Sequence, residues 1–362
     1  MLVNGKKYSS IWTENERVFI IDQTKLPHIF EVAELKSLQD YYNAIVNMQV
    51  RGAPLIGVTA LFGIANQMRI DSSLRSLKNS INVLAKSRPT AVNLFWALDK
   101  IAKILFDTKK SLRREIAFNF AIEHASEDKR INKQIGENGV KLFKKILASK
   151  KKKRLNLLTH CNAGWLATVD WGTALSPIYV GSSSGMDINV FVSETRPRNQ
   201  GSSLTAWELK NQKVEHKVIA DNASGYLMQE GLIDAVIVGA DRISSTGDVC
   251  NKIGTYLKAI SCFDNKVPFF VAAPTSTIDW KENRQGRGIK IEKRDESEIT
   301  SIVGKKLKGK NTLEEIILVP EETKAFNPAF DVTPNKYVST IITEFGSYKP
   351  KEEGFKKLRN KN

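Results

Sequence analysis

The second half of the chain carries short apolar runs that recur at roughly 30-residue intervals, the length of a strand, a crossover helix and the next strand. From about Leu155 onwards these runs are LNLLTH, INVFVSE, HKVIAD, AVIVGAD and VPFFVAAP. Strands that are separated by helix-length segments pair in parallel, and a parallel sheet needs helices on both of its faces. The spacing therefore predicts a Rossmann-like parallel sheet.

The turn after the first of these runs lacks the G-x-G-x-x-G pattern that brings the backbone of dinucleotide-binding sheets close to a pyrophosphate. The periodicity thus favours the architecture and argues against a dinucleotide cofactor. A basic run, Lys150 to Arg154, directly precedes the first strand and marks the expected boundary between two domains. A chain of 362 residues fits two domains of about 100–200 residues each.

The first half of the chain has the periodicity of helices. In LKSLQDYYNAIVNM and SLRSLKNSINVLAKS the apolar residues recur at spacings of three and four, and the second segment ends before Pro89. Between them, PLIGVTALFGIA is apolar nearly all round, which predicts a buried helix with Pro54 in its first turn. We therefore expect an α/β fold with a small, mainly helical N-terminal domain over 1–149, a Rossmann-like domain over 150–348 and a basic tail over 349–362.

The net charge of +16 raises the question of nucleic-acid binding. Much of the excess is lysine in two places, the run Lys150 to Arg154 and the tail KPKEEGFKKLRNKN from Lys349. Neither is interleaved with the aromatic residues that stack on bases. We therefore expect solvated surface and no specific nucleic-acid site.

No apolar run approaches the ~20 residues that a membrane span requires. The N-terminal MLVNGKKYSS has no apolar core of the kind a secretory signal carries, and three cysteines do not form a disulfide framework. A cytoplasmic protein without membrane association is the expectation.

Ligands of open α/β sheets bind outside the carboxyl ends of the strands, so residues that directly follow strands are candidates for chemistry. Cys161 follows the first strand, and the small residues Ala163 and Gly164 after it are predicted to open a helix. After the second strand, ETRPRNQGSSLTAWEL forms a polar turn that leads into a helix at about Gly201. Neighbours along a strand point to opposite faces, so His160 is not expected to act as the base for Cys161.

The fourth strand ends at Asp241, and Asn251 with Lys252 stands just before IGTYLKAI. A lysine beside free N–H groups at a helix N-terminus is a natural phosphate site. Each residue also has a structural interpretation: Cys161 as a buried small residue, Asp241 as a turn cap and Lys252 as surface charge. Because these residues all fall at the same end of one predicted sheet, a shared functional site is favoured over three separate structural roles.

The N-terminal half contributes two further candidates. In VRGAPLIG, Arg51 offers a guanidinium beside the exposed backbone donors of Gly52 and Ala53, a combination that binds phosphate or sugar hydroxyls. Arg88 in SRPTAVNLFWAL offers a second guanidinium. In isolation, each segment fits a helix start and a turn equally well.

At these residues the chain resembles the methylthioribose-1-phosphate isomerases of the methionine salvage pathway. The matching blocks run in order from about Asp22 to Pro334 and are DQTKLP, RGAPLIG, SRPTAVNLFWAL, LTHCNAG, ETRPRNQGSSLTAWEL, DNASGYLM, GADRISSTGDVCNKIGTY, VAAPTSTID and NPAFDVTP. The wider family includes ribose-1,5-bisphosphate isomerases and the regulatory subunits of the translation initiation guanine nucleotide exchange factor. The resemblance implies a homodimer with a small N-terminal and a Rossmann-like C-terminal domain, and neither a metal nor an organic cofactor.

The resemblance also implies roles for single residues. Cys161 in LTHCNAG matches the family's catalytic cysteine, and Asp241 in GADRI matches its acid–base partner, the proton donor. The positions that match substrate-binding residues are Arg51, Gly52, Ala53, Arg88, Gln200, Asn251 and Lys252. Trp165 stands where a small residue is common in the family, which bears on the packing behind Cys161.

The implied reaction is an aldose–ketose isomerisation of a small sugar phosphate, 5-methylthioribose 1-phosphate to 5-methylthioribulose 1-phosphate. Phosphate on carbon 1 prevents the ring from opening to a free aldehyde. A proton-transfer route needs a base for the carbon 2 proton and an acid for the ring oxygen. A hydride-shift route would instead use Cys161 and Asp241 to polarise the oxygens, and the residues alone do not choose between the two routes.

Two alternatives accompany this expectation. A ribose-1,5-bisphosphate isomerase would need cations around carbon 5, whereas a methylthio group prefers an apolar lining. A non-catalytic regulatory subunit would bind a sugar phosphate or nucleotide, and it has no chemical need to keep the cysteine and the aspartate together.

Overall fold

The computed structural model describes residues 1–89, 91–283, 286, 288–306, 312–350 and 353–361. Its architecture is α/β, with a mainly helical N-terminal region before a seven-stranded, mostly parallel sheet, which confirms the predicted fold class. The domain limits at 149/150 and 348/349 stay predictions. Lys351, Glu352 and Asn362 of the predicted tail lie outside the described residues.

The first 35 residues contain five short strands and one 3-10 turn, and the helical periodicity of the first half did not predict these strands. The strands are β1 (Leu2–Val3), β2 (Lys6–Lys7), β3 (Ile11–Glu14), β4 (Arg17–Ile21) and β5 (Val32–Leu35). Val18 and Ile20 are buried while Phe19 between them is partly exposed, which is the period of a strand. Asn15 and Glu16 turn β3 into β4 with φ values of 51° and 62°, the conformation of tight hairpin turns.

Among the described residues, the N-terminal region contains five α-helices, and the first three confirm the three predicted helical segments. The five helices are α1 (Leu38–Val46), α2 (Ala53–Ile70), α3 (Leu74–Ala85), α4 (Val92–Phe106) and α5 (Arg113–Lys150). Helix α2 is buried along most of its length, begins with Pro54 in its first turn and packs against the other four. Its apolar circumference fits this position because every face meets another helix.

The long helix α5 joins the helical region to the sheet. It packs against α2 on one side and against α6 (Ser176–Ser183) on the other. A Cβ at Gly136 would lie 2.3 Å from Ser176 Oγ, and one at Gly139 would lie 2.4 Å from the Cγ of Pro177. Within the described residues, none of the helices has both the length and the apolar character that a membrane crossing needs.

The seven-stranded sheet contains all five predicted strands. In chain order its strands are β6 (Arg154–Thr159), β7 (Asp187–Ser193), β8 (Glu215–Ile219), β9 (Ala235–Val238), β12 (Phe269–Ala272), β17 (Thr340–Thr343) and β18 (Gly346–Tyr348). The spatial order is β18-β17-β12-β9-β6-β7-β8, and every pair is parallel except β17 with β18. Without the antiparallel edge strand this is the doubly wound order of Rossmann sheets.

The order of the strands reverses between β6 and β9, which are neighbours in the sheet although two strands separate them in the chain. Connections from these two strands leave on opposite sides and open a crevice at their carboxyl ends. Cys161 and Asp241 follow the two strands, so the fold brings both to this crevice.

Smaller elements surround the sheet. The further helices are a π-helical turn (Gly201–Thr205), α7 (Ala206–Asn211), α8 (Ala223–Gln229), α9 (Thr255–Asp264), α10 (Ser297–Thr300) and α11 (Glu353–Lys357). A four-stranded sheet consists of β10 (Arg242–Ser244), β11 (Val249–Lys252), β13 (Ile278–Asp279) and β16 (Phe330–Thr333), and β14 (Ser301–Lys305) pairs with β15 (Leu313–Ile317). The predicted helix at about Gly201 is confirmed, with a π-helical first turn.

The segment after Cys161 does not open a helix directly, contrary to the prediction. It forms an irregular loop with one 3-10 turn, and the next helix, α6, begins only at Ser176. The reason is the buried carboxylate of Glu208, which accepts the N–H groups of Trp165 and Leu166 at 2.8 and 3.1 Å. The loop wraps around this carboxylate instead of continuing into a helix.

The basic segments are more than the solvated surface that the sequence analysis predicted. Lys150 and Lys152 each donate to Oδ1 of the fully buried Asp234, at 2.9 and 2.8 Å. In the C-terminal segment, Phe355 and Leu358 are buried in the core on one side of the sheet. Lysine is therefore used here to neutralise a buried carboxylate, and part of the predicted tail is packed structure.

Replacing Phe355 by alanine should lower the free energy of unfolding by about 3–5 kcal/mol, the range for removing a buried phenylalanine. The ring is fully buried and lies 5.8 Å from the ring of Trp280. Denaturant unfolding measures the effect, with Lys357→Ala as the control because the Lys357 side chain is 70% exposed. Equal midpoints for the two variants would contradict the packed C-terminal segment.

Candidate active site

A cavity lies at the carboxyl ends of β6, β9 and β12, beside the N-terminus of α2 and strand β11. All nine residues predicted from the sequence line it: Arg51, Gly52, Ala53, Arg88, Cys161, Gln200, Asp241, Asn251 and Lys252. They come from both halves of the chain. Only the fold brings them together, and their chemical roles are proposals.

Cys161 lines the cavity with a partly exposed side chain. Its backbone adopts φ 64°, a left-handed conformation that is uncommon for residues other than glycine. The N–H group of Cys161 donates to Thr195 Oγ1 at 2.8 Å, and its carbonyl accepts from Thr205 Oγ1 at 2.7 Å. Two buried threonine hydroxyls thus hold the main-chain N–H and carbonyl groups of Cys161.

Asp241 lies in the short connection between β9 and β10, where its N–H group donates to the carbonyl of Cys250 at 3.0 Å. Part of its surface faces the cavity, yet protein surrounds the carboxyl group closely enough that burial raises its pKa. The cations of Lys252, Arg88 and Arg294 act in the opposite direction. The net upward shift favours the protonated acid, which is the form that a proton donor requires.

Arg51 is buried and donates from both terminal nitrogens to Asn162, to the carbonyl oxygen and to Oδ1, at 2.9–3.3 Å. This pair ties the start of α2 to the residue that follows Cys161. Gly52 has φ 92°, and a Cβ there would lie 2.3 Å from the carbonyl oxygen of Ala167, so only glycine fits. Glycine thereby lets the start of α2 pack directly against the main chain of Ala167 at the edge of the cavity.

Lys252 ends strand β11, with Nζ donating to the carbonyl of Ala329 at 2.9 Å and lying 4.8 Å from the centre of the Phe330 ring. Burial lowers the pKa of Lys252 to about 8, and the nearby charge of Arg294 contributes. Asn251 precedes it and donates to Thr255 Oγ1 at 3.0 Å.

The predicted phosphate site at the N-terminus of the following helix, α9, is not free. The carboxylate of Asp331 accepts the N–H groups of Gly254 and Tyr256 at 2.7 and 3.1 Å. An anion from the protein therefore occupies the helix N-terminus. Lys252 reaches the cavity from the strand itself and not from the helix start.

Arg88 and Gln200 complete the predicted set. The Arg88 side chain is 13% exposed, and its guanidinium lies 3.9 Å from a carboxylate oxygen of Glu292. Gln200 is 6% exposed, and among the described residues its Oε1 has no hydrogen-bond partner. A buried amide oxygen without a partner is costly unless a ligand satisfies it.

The sequence analysis missed several lining residues. Arg294 donates to Glu292 Oε1 at 2.8 Å, and its guanidinium lies 5.5 Å from the centre of the Phe330 ring. Apolar side chains also line the cavity, among them Met48, Ile56, Ala91, Ile289 and Phe330. The segment around Arg294 has no periodicity that would have placed it here, whereas Phe330 lies in the quoted block NPAFDVTP.

His160 lines the cavity, whereas Trp165 does not. His160 is buried, its Nε2 donates to the carbonyl of Ile253 at 2.8 Å, and its Nδ1 lies 3.1 Å from Ser193 Oγ. Burial lowers its pKa, which favours the neutral ring, and the main-chain carbonyl of Ile253 holds its Nε2–H group. Trp165 is fully buried 6.0 Å from the ring of Trp207, in the core behind the cavity.

The cavity thus combines the acid Asp241, the partly exposed thiol of Cys161, the buried thiol of Cys250 and a surplus of positive charge. The lining cations are Arg51, Arg88, Arg242, Lys252, Lys290 and Arg294, and such a set suits a ligand with a phosphate group. In the part of the chain that the structure describes, no group of three or more His, Cys, Asp or Glu side chains has the arrangement of a metal site.

Comparison with known proteins places these residues in a family. Residues 49–350 match the model of the Initiation factor 2 subunit family. The methylthioribose-1-phosphate isomerase of Methylorubrum extorquens is 50% identical over 356 residues, covering 98% of this chain and 97% of that protein.

Two solved structures are also similar. The crystal structure of 5-methylthioribose 1-phosphate isomerase from Pyrococcus horikoshii OT3 superposes with a TM-score of 0.85 at 37% identity, covering 99% of this chain and 97% of that one. The structure of the translation initiation factor eIF-2B, subunit delta, from A. fulgidus has a TM-score of 0.78 at 37% identity and covers 95% and 96%.

Proposed function

The chain belongs to the Initiation factor 2 subunit family and, within it, to the methylthioribose-1-phosphate isomerases, and we propose that its cavity converts 5-methylthioribose 1-phosphate to 5-methylthioribulose 1-phosphate. The observation that carries this proposal is the meeting of Cys161 and Asp241 at the switch point of the sheet, beside buried cations. A purely binding subunit has no chemical need for that pair.

In the proposed mechanism, the phosphate binds to Arg51, Arg88, Lys252 and the backbone donors of Gly52 and Ala53. This leaves carbons 1 and 2 and the ring oxygen for Cys161 and Asp241. In the proton-transfer route, the Cys161 thiolate removes the carbon 2 proton and the Asp241 acid protonates the ring oxygen. In the hydride-shift route, the same two groups polarise the oxygens while hydrogen moves directly from carbon 2 to carbon 1.

The apolar side chains of the cavity support the proposal that the substrate carries a methylthio group. Met48, Ile56, Ala91 and Ile289 offer a surface on which a thioether gains by leaving water. A second phosphate, as in ribose 1,5-bisphosphate, would need cations that are not already engaged with the first. Arg242 and Arg294 also line the cavity but are paired with Asp279 and Glu292, so the apolar lining is the observation that favours the methylthio sugar.

A coupled assay of the purified protein with both sugar phosphates tests the function. Turnover of the methylthio sugar with little turnover of the bisphosphate is the expected result, and the reverse would assign the protein to the bisphosphate isomerases. In D₂O, deuterium at carbon 1 of the ketose indicates proton transfer, whereas its absence indicates a hydride shift. No turnover of either sugar would favour a non-catalytic subunit of a translation initiation factor, the class named for the similar A. fulgidus protein.

We further propose that the protein is a cytoplasmic homodimer without a specific nucleic-acid partner. The adjacent helices α8 and α9 expose large apolar side chains, with Tyr226 61%, Leu257 68% and Phe263 65% exposed. Contiguous exposed apolar surface of this kind is typical of protein interfaces. It supports pairing of two copies through these helices.

A dimer should scatter light as twice the 40.6 kDa of one chain. Leu257→Glu with Phe263→Glu should yield the monomer, because the exposed apolar area that drives pairing becomes charged. Val303, 59% exposed on the β14–β15 hairpin, offers the matched control as Val303→Glu. A dimer that survives the double substitution but is lost in the control would place the interface on the hairpin instead.

A further inference from the structure

The strained backbone of Cys161 needs partners that hold it. A left-handed conformation crowds the Cβ of an L-residue against its own carbonyl, so relaxed chains avoid it. The N–H group of Cys161 is directed to Thr195 Oγ1 at 2.8 Å. The hydroxyl of Thr195 in turn donates to the carbonyl of Ser193 at 2.8 Å, so its oxygen lone pairs point to Cys161.

Thr195 is itself held in an unfavourable conformation. Its φ is 69°, an outlier for a β-branched residue, and its side chain is fully buried. The carboxylate of Asp221 accepts the N–H group of Thr195 on Oδ1 at 2.8 Å and that of Arg196 on Oδ2 at 2.7 Å. Glycine would adopt this positive φ without strain, so we infer that threonine is present at this turn because its hydroxyl is needed.

Asp221 also supports the opposite side of the cavity. The Ser193 hydroxyl donates to Asp221 Oδ1 and lies 3.1 Å from His160 Nδ1. His160 donates from Nε2 to the carbonyl of Ile253 at 2.8 Å, and Ile253 directly follows Lys252. One carboxylate thus connects the turn of Cys161 with the strand end that carries the lysine.

We propose that Thr195 and Asp221 are positioning residues for the reaction, which hold the main chain of Cys161 so that its side chain faces the cavity. This inference rests on the proposed function of Cys161. Neither residue lines the cavity in the part of the chain that the structure describes, so both act through Cys161 and not on the substrate.

Thr195→Val keeps the shape of the side chain and removes the hydroxyl. We expect kcat to fall about tenfold with KM unchanged within about threefold, because a small displacement of a reacting group affects the chemical step more than binding. Thr195→Ser retains the hydroxyl and should restore kcat to within about threefold of the wild type. Asp221→Asn, which replaces one acceptor oxygen by a donor, should resemble Thr195→Val.

Ser224→Ala is the matched control. Ser224 Oγ donates to the main-chain carbonyl of Asp221 at 3.0 Å, so its loss removes a buried hydrogen bond from the same residue without touching the carboxylate. A purely structural role would lower the melting temperature in all these variants and leave kcat of the folded enzyme unchanged. If the valine variant does not fold, Thr195→Gly relieves the backbone strain and also removes the hydroxyl, and it should show the same loss of kcat.

Crystal structures of the variants supply a measurement that does not depend on activity. We expect Cys161 to leave its positive φ in Thr195→Gly and to keep it in Thr195→Ser. Wild-type kcat together with an unchanged Cys161 conformation in the valine or glycine variant would overturn the proposal. An inactive wild-type protein would contradict the proposed function. The conformation of Cys161 in the variants would still show whether Thr195 and Asp221 position Cys161.

Discussion

Replacing Cys161 by serine should lower kcat by at least about 100-fold while changing substrate affinity little, as expected when a transition-state interaction is removed. A serine hydroxyl is a far weaker acid than a thiol, so at neutral pH the variant cannot supply an alkoxide in place of the thiolate. The side chain is otherwise close in size and keeps the same backbone hydrogen bonds to Thr195 and Thr205. Steady-state kinetics with the methylthio sugar measure the change.

Cys262→Ala is the control for the loss of a thiol. Cys262 is buried among apolar residues, 3.8 Å from the sulfur of Met228, outside the lining of the cavity. We expect its kcat to stay within about threefold of the wild type. Near-normal turnover in Cys161→Ser would exclude the cysteine from the chemistry.

Asp241→Asn tests the partner of the cysteine in the same experiment. The amide has the size of the carboxyl group but cannot donate a proton as an acid, so we expect a loss of at least about 100-fold in kcat here too. Because burial raises the pKa of Asp241, the wild-type acid is present at low pH and is lost as the pH rises through that pKa. In the proton-transfer route, the wild-type rate should fall along this alkaline limb.

Replacing Lys252 by alanine should weaken substrate binding by about 2–5 kcal/mol, the cost of losing one partner of a buried, charge-assisted contact. Lys252 as a whole is 4% exposed, so the attraction of its ammonium group to a phosphate is only weakly screened by water. Titration calorimetry with the ketose product measures the affinity. An unchanged affinity in Lys252→Ala would contradict the role of Lys252 in substrate binding.

The lowered pKa of Lys252 adds a pH dependence with a definite sign. Burial lowers this pKa to about 8, so the ammonium form is present below that pH and is lost above it. The substrate phosphate is already fully ionised there, since its second pKa is about 6. Affinity should therefore fall as the pH rises through about 8, and Lys252→Arg, which stays charged to above about pH 12, should flatten this dependence.

The local patterns of the sequence predicted the parallel sheet well. The apolar runs from Leu155 became five neighbouring strands, and the central ones are continuously apolar because a parallel sheet buries both of their faces, whereas the edge strand β8 is largely exposed. The rule that ligands bind at the carboxyl ends of strands then indicated Cys161 and Asp241 without any knowledge of the fold. The long blocks shared with known isomerases supplied the reaction, which periodicity alone does not carry.

Predictions failed where a distant residue decides the local structure. The loop after Cys161 follows the buried Glu208, which lies more than forty positions further along the chain. The N-terminus of helix α9 is taken by Asp331, and the lysines at the start of the sheet pair with Asp234. None of these partners can be identified from the segment that it controls.

Apolar periodicity and residue type within short stretches were enough to predict three helices of the N-terminal region, five strands of the main sheet and their order in the chain, and to indicate candidate site residues. The three-dimensional fold was needed to show that nine residues from both halves share one cavity, that Arg294 joins them, and that burial raises the pKa of Asp241 and lowers that of Lys252. This division arises because the strength of a charge, an acid or a hydrogen bond is set by the water that the fold excludes and by partners far away in the chain.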